Sequence, residues 1–302
     1  MTDIHSHILF DVDDGSSNIE ESIELLKKLK SIGFKNVILT PHYIEGSDYC
    51  SLNQEKLEKI EILKSEIKKN NIDINIYLGN EIFINDNIIK SIKDGKIYPL
   101  NNTKYLLIEL PFYNQILNLD DILFEITHAG YIPVIAHPER YSYFQENYKL
   151  IDSLRENGVL FQANYSSILG HYGKQAKKLL KYMLKQKYID YLGTDIHHIG
   201  KTFVIDNFEK INKKIKKITK EEYYNQIINN CNNLISKWEY MIILFFFILK
   251  NTKLVNKILC FLFYINFHIL KSFTLIKTEF LIINLFIFNL LHITNIKYLW
   301  FL

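Results

Sequence analysis

Residues 3–40 read DIHSHILFDVDDGSSNIEESIELLKKLKSIGFKNVILT, which predicts one strand, one helix and a second strand. Both ends of this stretch are short runs rich in β-branched residues, as in buried strands. Ser17 followed by Glu20 is the pattern of a capping box, and Gly33 ends the helix. Between them, apolar residues recur at helical spacing: Ile19, Ile23, Leu26 and Leu29. Two strands joined by such a helix predict a right-handed parallel crossover.

The same alternation continues to about residue 235. Strands are predicted at 3–7, 36–40, 74–79, 105–109, 133–137, 159–164 and 189–195. Further helices are predicted at 54–69, 119–129, 148–157, 174–186 and 204–217. Seven such units favour an α/β fold of the distorted (β/α)7 TIM-like barrel type over an open doubly wound sheet, although the sequence alone does not decide closure. We therefore expect one barrel domain over residues 1–237.

Composition limits the classes of partner and compartment. The chain has 302 residues and a formal net charge of only +3, so nucleic acid is not an expected partner. Its three cysteines, Cys50, Cys231 and Cys260, form neither a CxxC pair nor an even disulfide framework. The N-terminus lacks the basic and apolar regions of a signal peptide. These features predict a cytoplasmic protein.

Residues 238–302 differ in composition from everything before them. They contain no Gly, Pro, Ala, Asp, Gln or Arg, yet they hold eleven of the twenty Phe residues. Lysines interrupt the apolar runs, and only 280–296 approaches the length of about 20 residues that a spanning helix needs. We interpret the segment as an atypical apolar C-terminal extension; association with a membrane, possible only through this tail, is the alternative.

Side chains able to bind metal ions lie at or just after the carboxyl ends of the predicted strands. They are His5, His7, His42, Glu81, Glu109, His137, Asp195 and His197. A parallel barrel opens all those strand ends onto one face, so we expect these residues to meet in one pocket. His5 and His7 are spaced i, i+2, as are Asp195 and His197, which places both side chains of a pair on one side of a strand. A lone His or Glu is usually solvated, but the joint pattern predicts a metal centre.

The donor types indicate which chemistry the centre supports. Histidines and carboxylates without thiolate suit Mn, Fe or Zn rather than Ca, and there are too many for one tetrahedral ion. Glu81 is the carboxylate that we expect to bridge ions. Closely spaced ions activate water and hold phosphoryl oxygens, so we expect hydrolysis of a phosphoester by attack of a metal-bound hydroxide.

Arg140, three residues after His137, is the expected phosphate binder because a guanidinium presents a planar fork to phosphate oxygens. A cysteine-based phosphatase is excluded, since it needs Cys six positions before Arg, and Val134 and Lys149 occupy those positions. A P-loop kinase is excluded because the chain has no GxxxxGK[ST] stretch.

Six motifs in this order resemble the PHP family, named for polymerase and histidinol phosphatase. They are Asp3-Ile4-His5-Ser6-His7, Asp13-Asp14-Gly15, Thr40-Pro41-His42, Gly79-Asn80-Glu81, Ala136-His137-Pro138-Glu139-Arg140 and Thr194-Asp195-Ile196-His197. The resemblance spans residues 1–237 and is greatest to the bacterial manganese-dependent tyrosine-protein phosphatases of capsular and exopolysaccharide gene clusters.

The resemblance implies a PHP-type barrel with three divalent ions, manganese first and iron or zinc as alternatives. It implies that the metal ligands are His5, His7, Asp14, His42, Glu81, Glu109, His137, Asp195 and His197. Arg140, Asp195 and His197 are then the catalytic candidates. The implied substrate is a phosphotyrosine protein, the tyrosine-rich tail of a bacterial autokinase that controls polysaccharide export.

Two other functions compete with this interpretation. A small-molecule phosphatase such as histidinol-phosphatase would use the same ligands and differ only at the pocket rim. A non-catalytic metal-binding module tethered to a membrane by the tail is the second alternative. It is disfavoured because a structural site closes with four ligands.

Overall fold

The computed structural model describes residues 1–50 and 53–249, with side chains described as far as residue 235. Met1–Lys237 forms one compact unit, and the fold and site below belong to it. Most of the predicted apolar extension, residues 250–302, lies outside the described residues. Among the helices that are described, none is both long enough and apolar enough to cross a bilayer.

In the described part of the chain, nine short strands form two parallel sheets. They are β1 (Thr2–Asp3), β2 (Asn36–Leu39), β3 (His42–Tyr43), β4 (Asn75–Leu78), β5 (Glu81–Phe83), β6 (Tyr105–Glu109), β7 (Ile132–Ala136), β8 (Leu160–Asn164) and β9 (Tyr191–Gly193). The first sheet has the order β1-β2-β4 and the second β3-β5-β6-β7-β8-β9. All pairs are parallel, and the fold is mixed α/β with a curled parallel sheet, as the alternation predicted.

Two predicted strands differ from the observed ones because each is interrupted and then resumes. Thr40 and Pro41 separate β2 from β3, and Gly79 and Asn80 separate β4 from β5. Pro41 has no N–H to give to a ladder, which explains one break. Each second piece begins on a metal-ligand candidate, His42 or Glu81, and these two residues are register partners. The interruptions thus transfer both side chains to the second sheet.

Helices connect the strands. They are α1 (Ile19–Ser31), α2 (Asn53–Lys69), α3 (Ile88–Lys93), α4 (Leu119–His128), α5 (Ser142–Glu146), α6 (Lys149–Glu156), α7 (Gly173–Gln186), α8 (Phe203–Asp206) and α9 (Phe208–Leu249). Short 3-10 turns lie at Leu100–Asn102, Pro138–Arg140 and Tyr165–Leu169. The sequence did not predict α3 and α5, because two turns or fewer carry little periodicity. The predicted helix 204–217 was wrong as one element: it divides at Asn207 into α8 and α9.

The predicted capping box of α1 was wrong by one residue. Asn18 is the N-cap, and its Oδ1 accepts a hydrogen bond from the N–H of Glu21 at 2.9 Å. The carboxylate of Glu21 reaches back and accepts from the N–H of Ser17 at 2.9 Å. The reciprocal logic of a capping box is present, but Asn18 and Glu21 supply it instead of Ser17 and Glu20.

The first and last strands are neighbours. Ser6 forms a parallel bridge with Ile196, the N–H of Asp195 donates to the carbonyl of His5 at 2.9 Å, and the N–H of His7 donates to the carbonyl of Ile196 at 2.9 Å. These bonds lie beyond the ends of β1 and β9. They bring the histidine pair at the beginning of the chain against the Asp195 segment.

Apolar side chains fill both faces of the curled sheet. The larger cluster lies between the strands and the helices and includes Leu25, Leu26 and Leu29 of α1, all fully buried. A smaller cluster takes alternate strand residues together with α9: Ile4, Ile38, Leu107, Val134, Tyr191, Cys231 and Leu234. Because side chains alternate across a strand, this second cluster is the inward face of the curled sheet. This apolar cluster lies beneath the polar residues at the strand ends.

Candidate metal centre

The structure brings all nine predicted ligand residues together. The ligand atoms of three overlapping groups lie within 4.8 Å of one another: His7, Asp14, His42 and His197; His5, His7 and Glu81; His42, Glu81 and Glu109. The remaining two, His137 and Asp195, contact the same groups within 3.8 Å. Eight of the nine side chains are largely buried, whereas that of Asp14 is 48% exposed. Asp14 therefore lies at the solvent side of the centre.

Glu81 is the hub. Its Oε2 lies 3.2 Å from each of three nitrogens: His5 Nε2, His7 Nε2 and His42 Nδ1. Its Oε1 lies 2.9 Å from His137 Nε2. A carboxylate facing four imidazoles from both of its oxygens is placed as a bridge between cation sites would be.

The contacts between ligand atoms fit a divalent cation. His5 Nε2 and His7 Nε2 lie 3.2 Å apart, and Glu81 Oε2 is equally distant from both. Ligand atoms that share one cation at about 2.1 Å are themselves roughly 3.0–3.4 Å apart, as these three atoms are. In addition, Nδ1 of His137 is buried without a hydrogen-bond partner in the described part of the chain. The donor set and its spacing thus suit the bound metal that the sequence predicts.

The pKa values of Glu81 and Glu109 indicate that the centre requires additional positive charge. Burial, together with the nearby carboxylate of Glu81, raises the pKa of Glu109 to about 9. Burial would likewise raise the pKa of Glu81, but the surrounding histidines, His5 and His42 foremost, hold it well below its usual range. Two neighbouring buried carboxylates cannot both ionise without further positive charge. Divalent cations would supply that charge and let both glutamates act as ligands.

Asp14 and His197, together with His42, form the outer group, which is the part of the centre at its solvent side. Asp14 Oδ1 lies 3.5 Å from His42 Nε2 and 3.6 Å from His197 Nε2. The rings of His7 and His197 stack with centroids 3.9 Å apart. The half-exposed carboxylate thus faces two imidazole nitrogens across the mouth of the centre.

Asp195 joins the histidines to Arg140. Its Oδ1 lies 3.6 Å from His5 Nε2 and 3.6 Å from His197 Nδ1, and its Oδ2 accepts from Arg140 Nη1 at 2.9 Å. Burial alone would raise the pKa of Asp195, but His5, His197 and Arg140 outweigh it and hold that pKa well below the usual range. Asp195 is therefore an anion at neutral pH, placed between the centre and the guanidinium.

Two of the ligand candidates have strained backbone conformations. His137 has φ 32° and Asp195 has φ 53°, both in the left-handed region that residues with a Cβ seldom adopt. Such conformations persist when the surrounding contacts impose them, and they are common at functional sites. Here they occur just after β7 and β9, two strands that flank β8.

Arg140 is held between two aromatic rings. Its guanidinium carbon lies 4.6 Å from the centroid of Phe112 and 4.5 Å from that of Tyr172. Cation–π contacts with the two rings restrict the plane of the fork, and the bond to Asp195 restricts its rotation. The side chain of Arg140 is 25% exposed, so its edge remains open to a ligand.

A cavity of about 720 Å³ opens beside the centre. Its walls include Asp14, Arg140, His171, Tyr172, His197 and Phe203. His171 stacks on Phe203 with ring centroids 4.4 Å apart. The cavity therefore combines a guanidinium, the outer part of the metal centre and an aromatic wall.

Sequence reasoning missed the residues that orient the histidines. Asp13 Oδ2 lies 2.7 Å from His7 Nδ1 and accepts from the N–H of His42 at 2.9 Å. Gln162 Oε1 lies 2.9 Å from His5 Nδ1. Asn164 Nδ2 donates to Asp195 Oδ2 at 2.6 Å. Gln162 and Asn164 are polar residues spaced i, i+2 at the end of a strand, the signal that had singled out His5 and His7.

Two glycines allow the close approach of these segments. A Cβ on Gly15 would lie 2.0 Å from the carbonyl oxygen of His7, and one on Gly193 would lie 2.6 Å from Cβ of His5. Neither position can hold a side chain without moving a histidine. The tight packing around the first histidine pair thus depends on both glycines.

Comparison with known proteins identifies the family of this chain. The family model for capsular polysaccharide synthesis, CpsB/CapC, matches residues 1–236. The putative tyrosine-protein phosphatase CapC of Staphylococcus aureus is 38% identical over 200 residues, which is 66% of this chain and 78% of the relative. The tyrosine-protein phosphatase YwqE of Bacillus subtilis is 33% identical over 199 residues, again 66% of this chain and 78% of the relative.

Solved structures agree with the sequence comparisons. Crystal structures of YwqE from Bacillus subtilis and CpsB from Streptococcus pneumoniae are described as unique metal-dependent tyrosine phosphatases. A chain from that work matches with a TM-score of 0.69 and 29% identity, over 78% of this chain and 94% of the other.

Proposed function

The chain belongs to the CpsB/CapC family of capsular polysaccharide synthesis, and from this premise we propose that it is a metal-dependent protein-tyrosine phosphatase. The observation that carries the proposal is the hub at Glu81, whose two oxygens face four imidazoles beside the clamped Arg140. A phosphoric monoester hydrolase of this kind needs no cysteine nucleophile. Neither of the free cysteines in the described residues, Cys50 and Cys231, lines the cavity.

The geometry supports a ligand role for every predicted residue. We propose that three divalent cations, manganese foremost with iron or zinc as alternatives, are held by His5, His7, Asp14, His42, Glu81, Glu109, His137, Asp195 and His197. When bound, such cations would lower the pKa of a water molecule and neutralise phosphate oxygens.

The protein's own groups would bind and orient the phosphate. The fork of Arg140 meets two phosphate oxygens, and its charge stabilises the negative charge of the transition state. Asp195 fixes Arg140 through Nη1. His197 also lines the cavity, where its ring lies 3.6 Å from Asp14 and helps to exclude water from the phosphate. The catalytic set is thus Arg140, Asp195 and His197.

We propose a PHP-type distorted barrel of seven strand positions for residues 1–237, in which the two interrupted strands count once each. The bridge between Ser6 and Ile196 supports closure, because it pairs the first strand position with the last. Active sites of parallel barrels lie at the carboxyl ends of the strands, where these residues are found. Residues 238–302 are then an addition to the catalytic unit.

The substrate and compartment follow from the same premise. We propose that the substrate is the phosphorylated tyrosine-rich tail of a bacterial autokinase in capsule synthesis. Free Cys50 and Cys231 fit the reducing cytoplasm. Any association with a membrane would come from residues 238–302.

The test compares substrates after the metal has been removed and replaced. The chain is stripped with a chelator, refilled separately with manganese, iron or zinc, and assayed on a phosphotyrosine peptide, histidinol phosphate and a generic aryl phosphate. We expect metal-dependent hydrolysis of the peptide and the aryl phosphate. A preference for histidinol phosphate would assign a small-molecule phosphatase, and no hydrolysis with any metal would leave a non-catalytic module.

A further inference from the structure

Two helices, each preceded by a segment that lines the cavity, carry lysines along one face each. On α7 they are Lys174, Lys177, Lys178, Lys181 and Lys185, and on the first part of α9 they are Lys210, Lys213, Lys214 and Lys217. Spacings of three, four and seven residues place the members of each set on one side of a helix. We call these nine residues the lysine patch. All of them are exposed or half-buried.

The two helices begin close together. His171, two residues before α7, stacks on Phe203, the first residue of α8, with centroids 4.4 Å apart, and α9 follows α8 directly. Further along, local desolvation and the ammonium groups of Lys177, Lys210 and Lys181 lower the pKa of Lys214. Lysines of α7 therefore lie near Lys214 of α9, and the stacked pair places the starts of α7 and α8 together.

The patch lacks ion-pair partners among the described residues. None of the nine lysines forms an ion pair with any residue that the structure describes. On α2, by contrast, Lys59, Lys64 and Lys69 each pair with a carboxylate three or four residues away. The sequence of α7 contains no Asp or Glu at all. Repulsion left uncompensated on a surface favours an anionic partner.

The patch begins at the rim of the cavity. Tyr172, which clamps Arg140 and lines the cavity, immediately precedes the first residue of α7. Lys201 and Phe203, which also line the cavity, lead through α8 into α9. A polypeptide with one side chain in the cavity would pass directly onto the lysines.

We propose that the lysine patch binds an acidic segment of the phosphotyrosine-containing polypeptide, next to the residue that enters the cavity. This inference rests on the proposed function and adds the class of substrate: phosphotyrosine flanked by carboxylates or by further phosphotyrosines. Lys174 to Lys185 spans about 16 Å along a helix. An extended peptide covers that length with about five residues. Acidic groups within five or six positions of the phosphotyrosine would therefore reach the patch.

The experiment neutralises the centre of the patch in the full chain. The patch variant combines Lys177→Gln, Lys181→Gln, Lys210→Gln and Lys214→Gln. The matched control removes the same charge from α1 and α2 by Lys30→Gln, Lys64→Gln, Lys68→Gln and Lys69→Gln. Two labelled phosphotyrosine peptides of equal length, one flanked by Asp and Glu and the other by Ser and Gln, are compared by fluorescence anisotropy and by hydrolysis. An aryl phosphate reports the metal centre alone.

We expect the patch variant to bind and hydrolyse the acidic peptide about tenfold less well, since four exposed charge pairs are lost. The neutral peptide and the aryl phosphate should be unaffected, the control variant should match the wild type, and salt should remove the difference. Equal affinity of patch variant and wild type for the acidic peptide would overturn the proposal. So would lysine-dependent binding to anionic vesicles without any peptide effect, which would assign the patch to a membrane. Because anisotropy needs no turnover, an inactive metal centre would contradict the proposed function and still leave the patch measurable.

Discussion

The carboxylate of Asp13 lies 2.7 Å from Nδ1 of His7 and so turns the other ring nitrogen, Nε2, toward Glu81. Burial alone would lower the pKa of His7, yet Asp13 and Glu81 raise it well above the usual value. Asp13 also receives the N–H groups of Gly15 and His42, both at 2.9 Å. One buried carboxylate thus sets the orientation of a ligand and the position of two loops.

Asp13→Asn should therefore weaken metal binding by about 10- to 100-fold, because an amide neither fixes the His7 tautomer nor increases its basicity. Metal titration monitored by calorimetry measures the loss. Asp11→Asn is the matched control, since Asp11 lies in the same turn with 77% of its side chain exposed. Equal affinities for the two variants would contradict the role given to Asp13.

Glu81→Gln should abolish metal-dependent hydrolysis and reduce the metal content measured by elemental analysis. The amide keeps the shape of the side chain but removes the charge that faces His5, His7, His42 and His137. The fold should survive, because the apolar clusters on both faces of the sheet are unchanged. Full metal stoichiometry with wild-type turnover would show that Glu81 is not the bridge.

Arg140→Lys should keep its metals but lower kcat/KM for aryl phosphate by roughly 10- to 100-fold, with both kcat and KM affected. A lysine retains the charge but loses the planar fork and the stacking on Phe112 and Tyr172. The chain's other arginine provides the control: Arg155 pairs with Asp190 away from the cavity, so Arg155→Lys should leave the kinetics unchanged. Normal kinetics in Arg140→Lys would remove Arg140 from the catalytic set.

The buried side chain of Lys56 should make the free energy of unfolding depend on pH in the alkaline range. It is fully buried, donates to Asn80 Oδ1 at 3.2 Å, and burial lowers its pKa from 10.5 to about 8. Between those two values the unfolded chain binds the proton and the folded chain does not, so this lysine makes the free energy of unfolding rise with pH.

The comparison is between the wild type and Lys56→Met in urea unfolding from pH 7 to pH 10.5. The wild type should gain up to about 3 kcal/mol relative to the variant across that window. Lys64→Met, at an exposed position of the same helix, is the control and should show no such difference. If the free energies of unfolding of wild type and Lys56→Met differ by the same amount at all pH values, burial does not lower the pKa of Lys56.

Ending the chain at Lys237 should leave the phosphatase rate unchanged and improve solubility. Every ligand candidate precedes this point, the family match ends at residue 236, and Leu234, the last residue of the inner apolar cluster, is retained. A run rich in Phe, Ile and Leu invites association when it is exposed to water. Rates and fractionation between membrane and cytosol are compared for both forms. Lost activity, or tight membrane recovery of active full-length protein, would show that the tail is functional.

Local patterns were sufficient to predict most of the alternation of strands and helices and eight of the nine ligand candidates, whereas Asp14 came from the family resemblance. A strand such as 105–109 is identified by its own β-branched and apolar residues, and the helix α1 by its own periodicity. Once parallel strands are inferred, His137 and Asp195 must lie at the same end of the sheet. Functional residues at strand ends can therefore be assigned to one site from the sequence alone.

Contacts between distant segments could not be predicted in the same way. The sequence singled out Glu81 as the expected bridge, but not the four imidazoles that face it, the contact of Asp13 with His7, or the contacts of Phe112 and Tyr172 with Arg140. These contacts depend on the breaks within strands and on the curl of the sheet. Those features come from packing among residues far apart in the chain, and a shift of one residue in register would turn each side chain to the opposite face. The sequence thus determined which chemical groups gather at one end of the fold, because periodicity and strand direction are local properties. Only the tertiary structure decided which atoms face one another, because distances of about 3 Å are set by packing across the whole sheet.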